Sequence, residues 1–182
     1  MSNCPYNMFD ENEKIKILSL DFDDCIIPWS LVDNGSDFQK ILQDKDKYKI
    51  LKQAVLRNLD IIQALQKKLE FKIAIHSSWG GIWDLDDDCD GFDSLSIWFR
   101  NQVNKRFNVF AIDKKNNRVE FLLNLKEKYP NSIIVALDDY DLSKLVKNRI
   151  VYIPTYGVVN KKIKEKILNS FKKITRTRDR YE

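Results

Sequence analysis

The chain has 182 residues, 43% of them hydrophobic and 32% charged, and a formal net charge of +4, so it has the length and composition of one globular domain. This composition excludes a collagen-like or wholly disordered chain. No stretch approaches the 18 apolar residues of a membrane helix, and residues 1–10 lack the basic flank and apolar core of a secretion signal.

Short apolar runs alternate along the chain with longer amphipathic ones. We predict five strands, at 16–20, 71–75, 107–112, 132–137 and 149–153. We predict helices between and after them, at 48–69, 95–107, 117–129, 142–146 and 161–174. Continuous apolar strands are buried on both faces, which is typical of parallel sheets. The pattern therefore predicts a Rossmann-like, three-layer α/β fold, with helices on both faces of a parallel sheet.

The two ends of the chain are expected to lie outside this fold. We predict an N-terminal arm at 1–14, one α/β domain at 15–174 and a basic tail at 175–182. Residues 161–182 carry nine Lys or Arg against three acids. Such a segment either attracts phosphate-rich partners such as nucleic acid or forms the solvated face of a helix, and both interpretations stay open.

Polar residues follow three of the predicted strands. They are Asp21 and Asp23, Ser77 and Ser78, and Asp138 and Asp139. Ligands of such sheets bind beyond the carboxyl ends of the strands, where these residues are expected to meet. Four carboxylates at one edge repel each other unless a cation lies among them, and oxygen ligands suit Mg²⁺. An acid after a strand often only caps the next helix, but this explains three strand ends less well than one.

The order of these motifs resembles the haloacid dehalogenase (HAD) superfamily of phosphotransferases. The resemblance is carried by ILSLDFD at 17–23, a strand closing on Ser77, a lysine ahead of a helix, and LDD at 137–139. More narrowly, HSSW at 76–79 and RVE at 118–120 look like the small phosphatase-like domain of bacterial and phage RNA-repair proteins. The gaps between the motifs are too short for a separate lid domain, so we expect a HAD-like core with little or no cap.

The resemblance implies a role for each motif residue. Asp21 would be the nucleophile that takes the phosphoryl group, and Asp23 the acid that protonates the leaving oxygen and later activates water. Ser77 would hydrogen-bond the phosphoryl oxygens, with Ser78 as a helper in substrate binding. The implied reaction is hydrolysis of a phosphomonoester through an aspartyl-phosphate.

The same resemblance implies a metal centre and a class of substrate. Asp21 and Asp23, together with Asp138 and Asp139, are the predicted ligands of Mg²⁺. The expected substrate is a nucleotide or a nucleic-acid end, because an uncapped site favours a large substrate. The alternative is a catalytically weak protein of the same fold that binds a nucleotide or a protein partner. For either function we expect a cytoplasmic location, since the three cysteines form no CxxC pair or disulfide framework.

A cationic side chain is still needed to bind the phosphoryl group. Lys115 lies just ahead of the predicted helix at 117–129, where the superfamily lysine is expected. Lys114 and Arg118 are alternatives, because each carries a positive charge to the same helix start. We therefore keep three candidates, with Lys115 as the predicted catalytic residue and the other two as substrate-binding residues.

Other features near the motifs have both a functional and a plain structural interpretation. Trp79 and Trp29 could stack on a base, although packing is the usual role of tryptophan. Asp24 stands where many relatives have glycine, which removes freedom from the loop after Asp23 and adds negative charge there. The single histidine, His76, makes a Ser-His-Asp hydrolase improbable and is expected to pack beside its strand or to orient the loop.

An acidic segment at 86–91 fits the opening of a calcium-binding loop. The twelfth position of that loop, however, is Ile97 rather than the required glutamate. We therefore interpret the segment as a solvated acidic loop or as acids near a helix start.

Overall fold

A computed structural model describes residues 14–29, 43–84, 92–157 and 159–178. Within these residues the strands are β1 (Lys16–Leu20), β2 (Lys72–Ile75), β3 (Val109–Ile112), β4 (Ile133–Asp138) and β5 (Ile150–Pro154). The α-helices there are α1 (Lys45–Leu69), α2 (Phe92–Arg106), α3 (Arg118–Lys128) and α4 (Lys161–Arg178). Two 3₁₀ segments, Ser78–Asp84 and Ser143–Asn148, complete the described elements. The acidic segment 86–91, residues 1–13 of the predicted arm and residues 179–182 of the predicted tail lie outside the described residues.

The five strands form one parallel sheet in the order β3-β2-β1-β4-β5. The central strand β1 pairs with β2 on one side, where Leu20 faces Ile75, and with β4 on the other, where Leu20 faces Leu137. The chain therefore builds one half of the sheet, returns, and builds the other half from β4. Such a reversal opens a crevice between the carboxyl ends of the two diverging strands, here β1 and β4.

Helices cover both faces of the sheet, which confirms the predicted three-layer α/β fold. One core contains buried residues of α1, α2 and α4 together with Phe22 of the loop after β1. Phe22, Phe99 and Phe171 are among its largest side chains. The other core, on the opposite face, contains Leu122 and Leu125 of α3 and Leu145 of the second 3₁₀ segment. The strands contribute alternate residues to the two cores, and the three central strands, β1, β2 and β4, are buried from both sides, as their continuous apolar composition predicts. The edge strands β3 and β5 are only partly buried.

Local capping explains where the helices begin and end. The Asp44 side chain accepts hydrogen bonds from the backbone N–H groups of Asp46 and Lys47, so α1 begins three residues before its predicted start. Helix α1 ends at Leu69 and is followed by the capping residue Glu70, which adopts a left-handed conformation with φ of 56°. The Asn117 side chain caps α3 by accepting from the N–H of Glu120. The helix predicted at 142–146 is a 3₁₀ segment rather than an α-helix.

Helix α4 runs from the carboxyl edge of the sheet to the opposite edge. Its buried Phe171 stacks on Phe71, which immediately precedes β2, with 5.4 Å between the ring centroids. Ile163, Ile167 and Phe171 are buried, whereas the lysines along the rest of its first three turns are exposed. The C-terminal part of α4 therefore lies at the amino edge of the sheet.

None of the helices that the structure describes has the length and apolar character needed to cross a membrane.

Candidate active site

The motif residues meet at the carboxyl edge of the three central strands. Asp21 directly follows β1, and its backbone N–H donates to the carbonyl of Leu137 in β4 at 2.9 Å. The N–H of His76, directly after β2, donates to the carbonyl of Leu20 at 3.1 Å. These backbone bonds extend the sheet by one residue on each side of β1. The functional side chains are thus attached to the rigid end of the sheet rather than to a distant part of a loop.

Asp21 is the most isolated ionisable group of the site. Its side chain is buried, and neither carboxyl oxygen has a hydrogen-bond partner among the described residues. The closest cation is Arg118, whose Nη1 lies 3.7 Å from Oδ2 of Asp21. Burial raises the pKa of Asp21 to about 7, and the neighbouring carboxylate of Asp138 adds to this rise. A buried carboxyl group without hydrogen-bond donors is costly, and the ion pair with Arg118 offsets this cost only in part.

Asp21, Asp138 and Asp139 form an acidic cluster that has the geometry of a metal site. Each offers one carboxylate oxygen, and these oxygens all lie within 4.8 Å of one another. Burial raises the pKa of Asp139 as well, as expected where like charges are crowded. One guanidinium, that of Arg118, faces the three acids. Hard oxygen ligands around unpartnered buried atoms fit a small divalent cation such as Mg²⁺.

Asp138 differs from Asp21 because three donors hold its carboxylate. Arg118 Nη1 and the backbone N–H of Tyr140 each donate to Oδ1 at 2.8 Å, and Nε2 of His76 donates to Oδ2 at 3.0 Å. Burial alone would raise the pKa of Asp138, but the hydrogen bonds from His76 and Tyr140 hold it below the ordinary value. Asp138 is therefore ionised and fixed in orientation, with roughly one of its four lone-pair sites left for a cation.

Asp23 lies outside the acidic cluster, in a separate cage of donors. Its Oδ1 accepts from the indole N–H groups of Trp29 at 2.9 Å and Trp79 at 2.8 Å. Its Oδ2 accepts from the hydroxyl of Ser78 at 3.0 Å. The structure thus separates Asp23 from the three acids with which it was predicted to bind Mg²⁺, because its oxygens are turned to the tryptophans.

Ser77 and the loop after β1 complete the site. The buried Ser77 hydroxyl accepts from the backbone N–H groups of Phe22 and Trp79, both at 3.3 Å, so its own proton is left to donate. Asp24, the residue after Asp23, adopts a left-handed conformation with φ of 44°. Aspartate tolerates this region better than most residues, so the loop keeps the turn that a glycine would favour. The carbonyl of Asp24 accepts a hydrogen bond from the N–H of Gly157.

Of the three candidate cations, the structure brings Arg118 to the acidic cluster. Lys114 instead pairs with Asp84 of the first 3₁₀ segment. Lys115 is exposed, and its ammonium makes no ion pair with any described residue, whereas its backbone N–H donates to Asp113 at 3.0 Å. Asn116 turns the chain with φ of 51°, and Arg118 then begins α3. Lys115 and Arg118 lie on opposite sides of this turn, and only Arg118 of the two contacts the acidic cluster among the described residues. The geometry therefore favours Arg118 over Lys115 as the cation of the site.

Trp29 and Trp79 lie next to each other beside Asp23. The ring of Trp79 is 9% exposed and packs edge-on against Phe99, with its centroid 5.8 Å away, and beside Trp29 at 6.1 Å. The indole N–H, at the edge of the ring, donates to Asp23, so Trp79 contacts the site through this edge rather than through its face. Stacking of a base on either ring stays a prediction.

Two features of the site were not predicted from sequence. Asp113, directly after β3, is buried, and its Oδ2 has no hydrogen-bond partner among the described residues. The rule that found Asp21 and Asp138, an acid at the end of an apolar strand, applies equally to Asp113. The second feature is the pairing of His76 with Asp138, which depends on the register of β2 and β4 around β1 and has no local sequence signal.

Comparisons of the chain with protein-family models, with curated proteins and with solved structures find no match. The likeness to the HAD superfamily therefore stays a prediction from the motifs. The site has to be interpreted from its own geometry.

Proposed function

We propose that the protein is a Mg²⁺-dependent phosphomonoester hydrolase in which Asp21 accepts the phosphoryl group. One observation carries the proposal: the buried carboxyl of Asp21 has no hydrogen-bond partner within the described part of the chain and lies beside Asp138, Asp139 and Arg118. Such a group is unfavourable in the absence of ligands, because the one ion pair with Arg118 does not replace the hydrogen bonds that water made to both carboxyl oxygens. A cation and a phosphoryl group together would supply the missing interactions.

The acidic cluster is the part of the chain that fits a metal. Asp21, Asp138 and Asp139 would hold Mg²⁺ through their carboxylate oxygens. The bound cation would neutralise charge on the phosphoryl group during its transfer. Arg118 adds a fixed positive charge on the same side, because its guanidinium contacts both Asp21 and Asp138.

In the first step, an oxygen of Asp21 forms a bond to phosphorus while the bond between phosphorus and the leaving oxygen breaks. The leaving oxygen takes a proton from Asp23, whose carboxyl is held by Trp29, Trp79 and Ser78. Ser77 donates its hydroxyl proton in a hydrogen bond to a phosphoryl oxygen. The products of this step are the free alcohol and an aspartyl-phosphate at position 21.

In the second step, a water oxygen forms a bond to the same phosphorus and the bond to Asp21 breaks. Asp23, now a carboxylate, accepts the proton of the water, so inorganic phosphate leaves and both aspartates return to their starting states. The Ser78 hydroxyl can donate to the carboxylate of Asp23 and accept from its protonated form, since a hydroxyl does both. It therefore supports Asp23 in each step.

For the substrate we propose a nucleotide or the end of a nucleic acid. Two exposed tyrosines lie beside Asp138: Tyr140, whose ring is next to the Arg118 guanidinium, is 58% exposed, and Tyr156 is 75% exposed. Tyr156 follows Thr155, whose N–H donates to the carbonyl of Asp138 at 3.1 Å. Exposed aromatic rings near a phosphate site suit a leaving group with a flat base, because bases stack on such rings.

The test is hydrolysis of p-nitrophenyl phosphate by the purified chain, with Mg²⁺ and with chelator. We expect turnover only with Mg²⁺ and none with Asp21→Asn. Asp141→Asn is a matched control, because Asp141 is exposed and its side chain accepts from the N–H of Ser143 outside the cluster. Equal turnover in chelator would refute the proposal. Binding of Mg²⁺ and a nucleotide without turnover would instead support the catalytically weak binding protein.

A further inference from the structure

A chain of hydrogen bonds crosses the three central strands beneath the acidic cluster. The hydroxyl of Ser19, within β1, lies 2.7 Å from Nδ1 of His76, and Nε2 of His76 lies 3.0 Å from Oδ2 of Asp138. All three side chains are fully buried. The proposed mechanism gives no task to Ser19 or His76, although two polar side chains inside a packed core need a reason to be there.

The direction of these hydrogen bonds follows from the charge of their members. Oδ1 of Asp138 accepts from the backbone N–H of Tyr140 and from the guanidinium of Arg118, which pairs with the group as a carboxylate. An ionised carboxylate only accepts, so Nε2–H of His76 must donate to it. In the neutral imidazole the other ring nitrogen, Nδ1, is then an acceptor, and the hydroxyl of Ser19 donates to it. Ser19 thereby selects the tautomer of His76 that can hold Asp138.

The same residue types form nucleophilic triads in hydrolases, but the placement here is unsuited to that role. A triad serine presents its hydroxyl to substrate. Ser19 is fully buried, and it is itself paired with Ala74 of β2 on one side and with Ala136 of β4 on the other. No substrate reaches a fully buried side chain within the central strand. The chain of hydrogen bonds therefore acts on Asp138, at its outer end.

Asp138 is the member of the acidic cluster that this arrangement controls. His76 holds Oδ2 from beneath, whereas Arg118 and the N–H of Tyr140 hold Oδ1. With these contacts the carboxylate cannot rotate, and its remaining lone pair stays directed to the cluster with Asp21 and Asp139. Carboxylates that bind metals are oriented in this way by neighbouring hydrogen bonds, whose loss typically weakens metal binding about 10–100-fold.

We propose that Ser19 and His76 are positioning residues that fix Asp138 for binding of a divalent cation. The inference rests on the proposed function only in taking the acidic cluster as a cation site. It adds that part of the affinity for the cation is set by two side chains that touch neither the cation nor the substrate.

The test compares two substitutions of the same histidine in the full chain. In His76→Gln the side-chain amide nitrogen can take the place of Nε2 and donate to Asp138, whereas in His76→Asn the shorter amide reaches Ser19 but not Asp138. We expect the Kd for Mg²⁺, measured by isothermal titration calorimetry, to rise about 10-fold or more in His76→Asn. In His76→Gln it should stay within about threefold of the wild type.

Ser19→Ala gives a second test that does not remove the imidazole. It should raise the Kd for Mg²⁺ by about threefold to tenfold, because the ring loses the donor that selects its tautomer. This variant decides the matter if neither histidine variant folds. An unchanged Kd in Ser19→Ala, or equal values in His76→Asn and the wild type, would overturn the positioning role while leaving the hydrolase proposal intact.

The wild type and Asp21→Asn separate this inference from the function on which it rests. A wild-type chain that binds no Mg²⁺ overturns both the cation site and the positioning role. Wild-type binding that is lost in Asp21→Asn, together with the expected order of the histidine variants, supports both. Electron paramagnetic resonance of bound Mn²⁺ provides a second readout, because a carboxylate that is no longer held broadens the range of ligand geometries around the ion.

Discussion

Asp21 and Asp23 are two residues apart in the same loop, yet their surroundings are opposite. Asp21 is buried and has no hydrogen-bond partner among the described residues, whereas Asp23 is half-buried and accepts from Trp29, Trp79 and Ser78. A carboxyl with three donors is satisfied by the protein itself. A carboxyl with none needs a ligand. The loop after β1 thus leaves the carboxyl of Asp21 available to a ligand and holds the carboxyl of Asp23 in place.

The largest effect is expected from removing the charge of Asp21. Asp21→Asn should lower turnover of p-nitrophenyl phosphate at least about 10³-fold, because the amide cannot form the covalent intermediate. In chelator the same variant should be more stable than the wild type, since it removes a buried carboxylate that is desolvated and repelled by Asp138. Tm should then rise by about 2–4 °C for each kcal/mol gained. A lower Tm in chelator would show instead that the ion pair of Asp21 with Arg118 outweighs the cost of burial and repulsion.

The next largest effect is expected from substitution of Asp23, the aspartate that three donors hold in place. Asp23→Asn should slow turnover about 10²–10⁴-fold, because the acid and base of the two steps is lost. Its affinity for Mg²⁺, measured by calorimetry, should stay close to that of the wild type, since Asp23 lies outside the acidic cluster. A large loss of Mg²⁺ affinity would place Asp23 among the metal ligands after all.

Addition of Mg²⁺ should stabilise the protein through the acidic cluster that contains Asp21, and not through Asp23. At a Mg²⁺ concentration about 100 times the Kd, binding adds about 2.7 kcal/mol to the free energy of unfolding. A thermal melt should show the corresponding rise of Tm in the wild type and in Asp23→Asn. Asp21→Asn and Asp138→Asn should show little or no rise. The same rise in all four proteins would mean that Mg²⁺ binds elsewhere.

A smaller effect is expected from the tryptophan that holds Asp23. Trp79→Phe keeps an aromatic ring but removes the N–H that donates to Oδ1, so we expect turnover to fall about 10-fold from looser positioning of Asp23. Trp83→Phe is the matched control, because the N–H of Trp83 donates to Asn104 instead. Equal rates for the two variants would show that the indole donor is not needed.

The smallest effect is expected far from both aspartates. Deletion of residues 175–182 removes basic residues whose helix ends at the amino edge of the sheet, where Phe171 meets Phe71. Turnover of p-nitrophenyl phosphate should therefore stay unchanged. If the tail nevertheless guides nucleic acid, the deletion should weaken binding of an oligonucleotide at low salt, and less so at high salt. Fluorescence anisotropy at two salt concentrations distinguishes these outcomes.

Much of the fold could be predicted because the strands carry their own signal. The run at 16–20 was predicted to form a strand, and β1 spans those residues; the other four strands differ from their predicted ranges by at most two residues at either end. A strand buried on both faces is apolar throughout, so its ends are marked by the first polar residues. The same contrast placed Asp21 and Asp138 at one edge of the sheet.

The rest of the site could not be predicted because it depends on residues that are distant in the chain. The choice of Arg118 among three neighbouring cations depends on a left-handed turn at Asn116 and on an acid, Asp84, that draws Lys114 away. The partners of His76 depend on which residues of β1 and β4 lie beside it. Neither the choice of Arg118 nor the partners of His76 are marked by a pattern in the neighbouring sequence, whereas the end of a strand is marked by the first polar residue after an apolar run.

The position of β1 in the middle of the sheet has a consequence for how the protein folds. It is the first described strand to leave the ribosome, yet one of its two neighbours, β4, begins more than one hundred residues later. A nascent chain that stops before β4 can pair β1 only with β2, so it leaves one side of β1 open and cannot assemble the acidic cluster. Pairings so distant in sequence are slow to form because a long loop must close first. We expect the site to appear late and all at once, when the second half of the sheet docks onto the first.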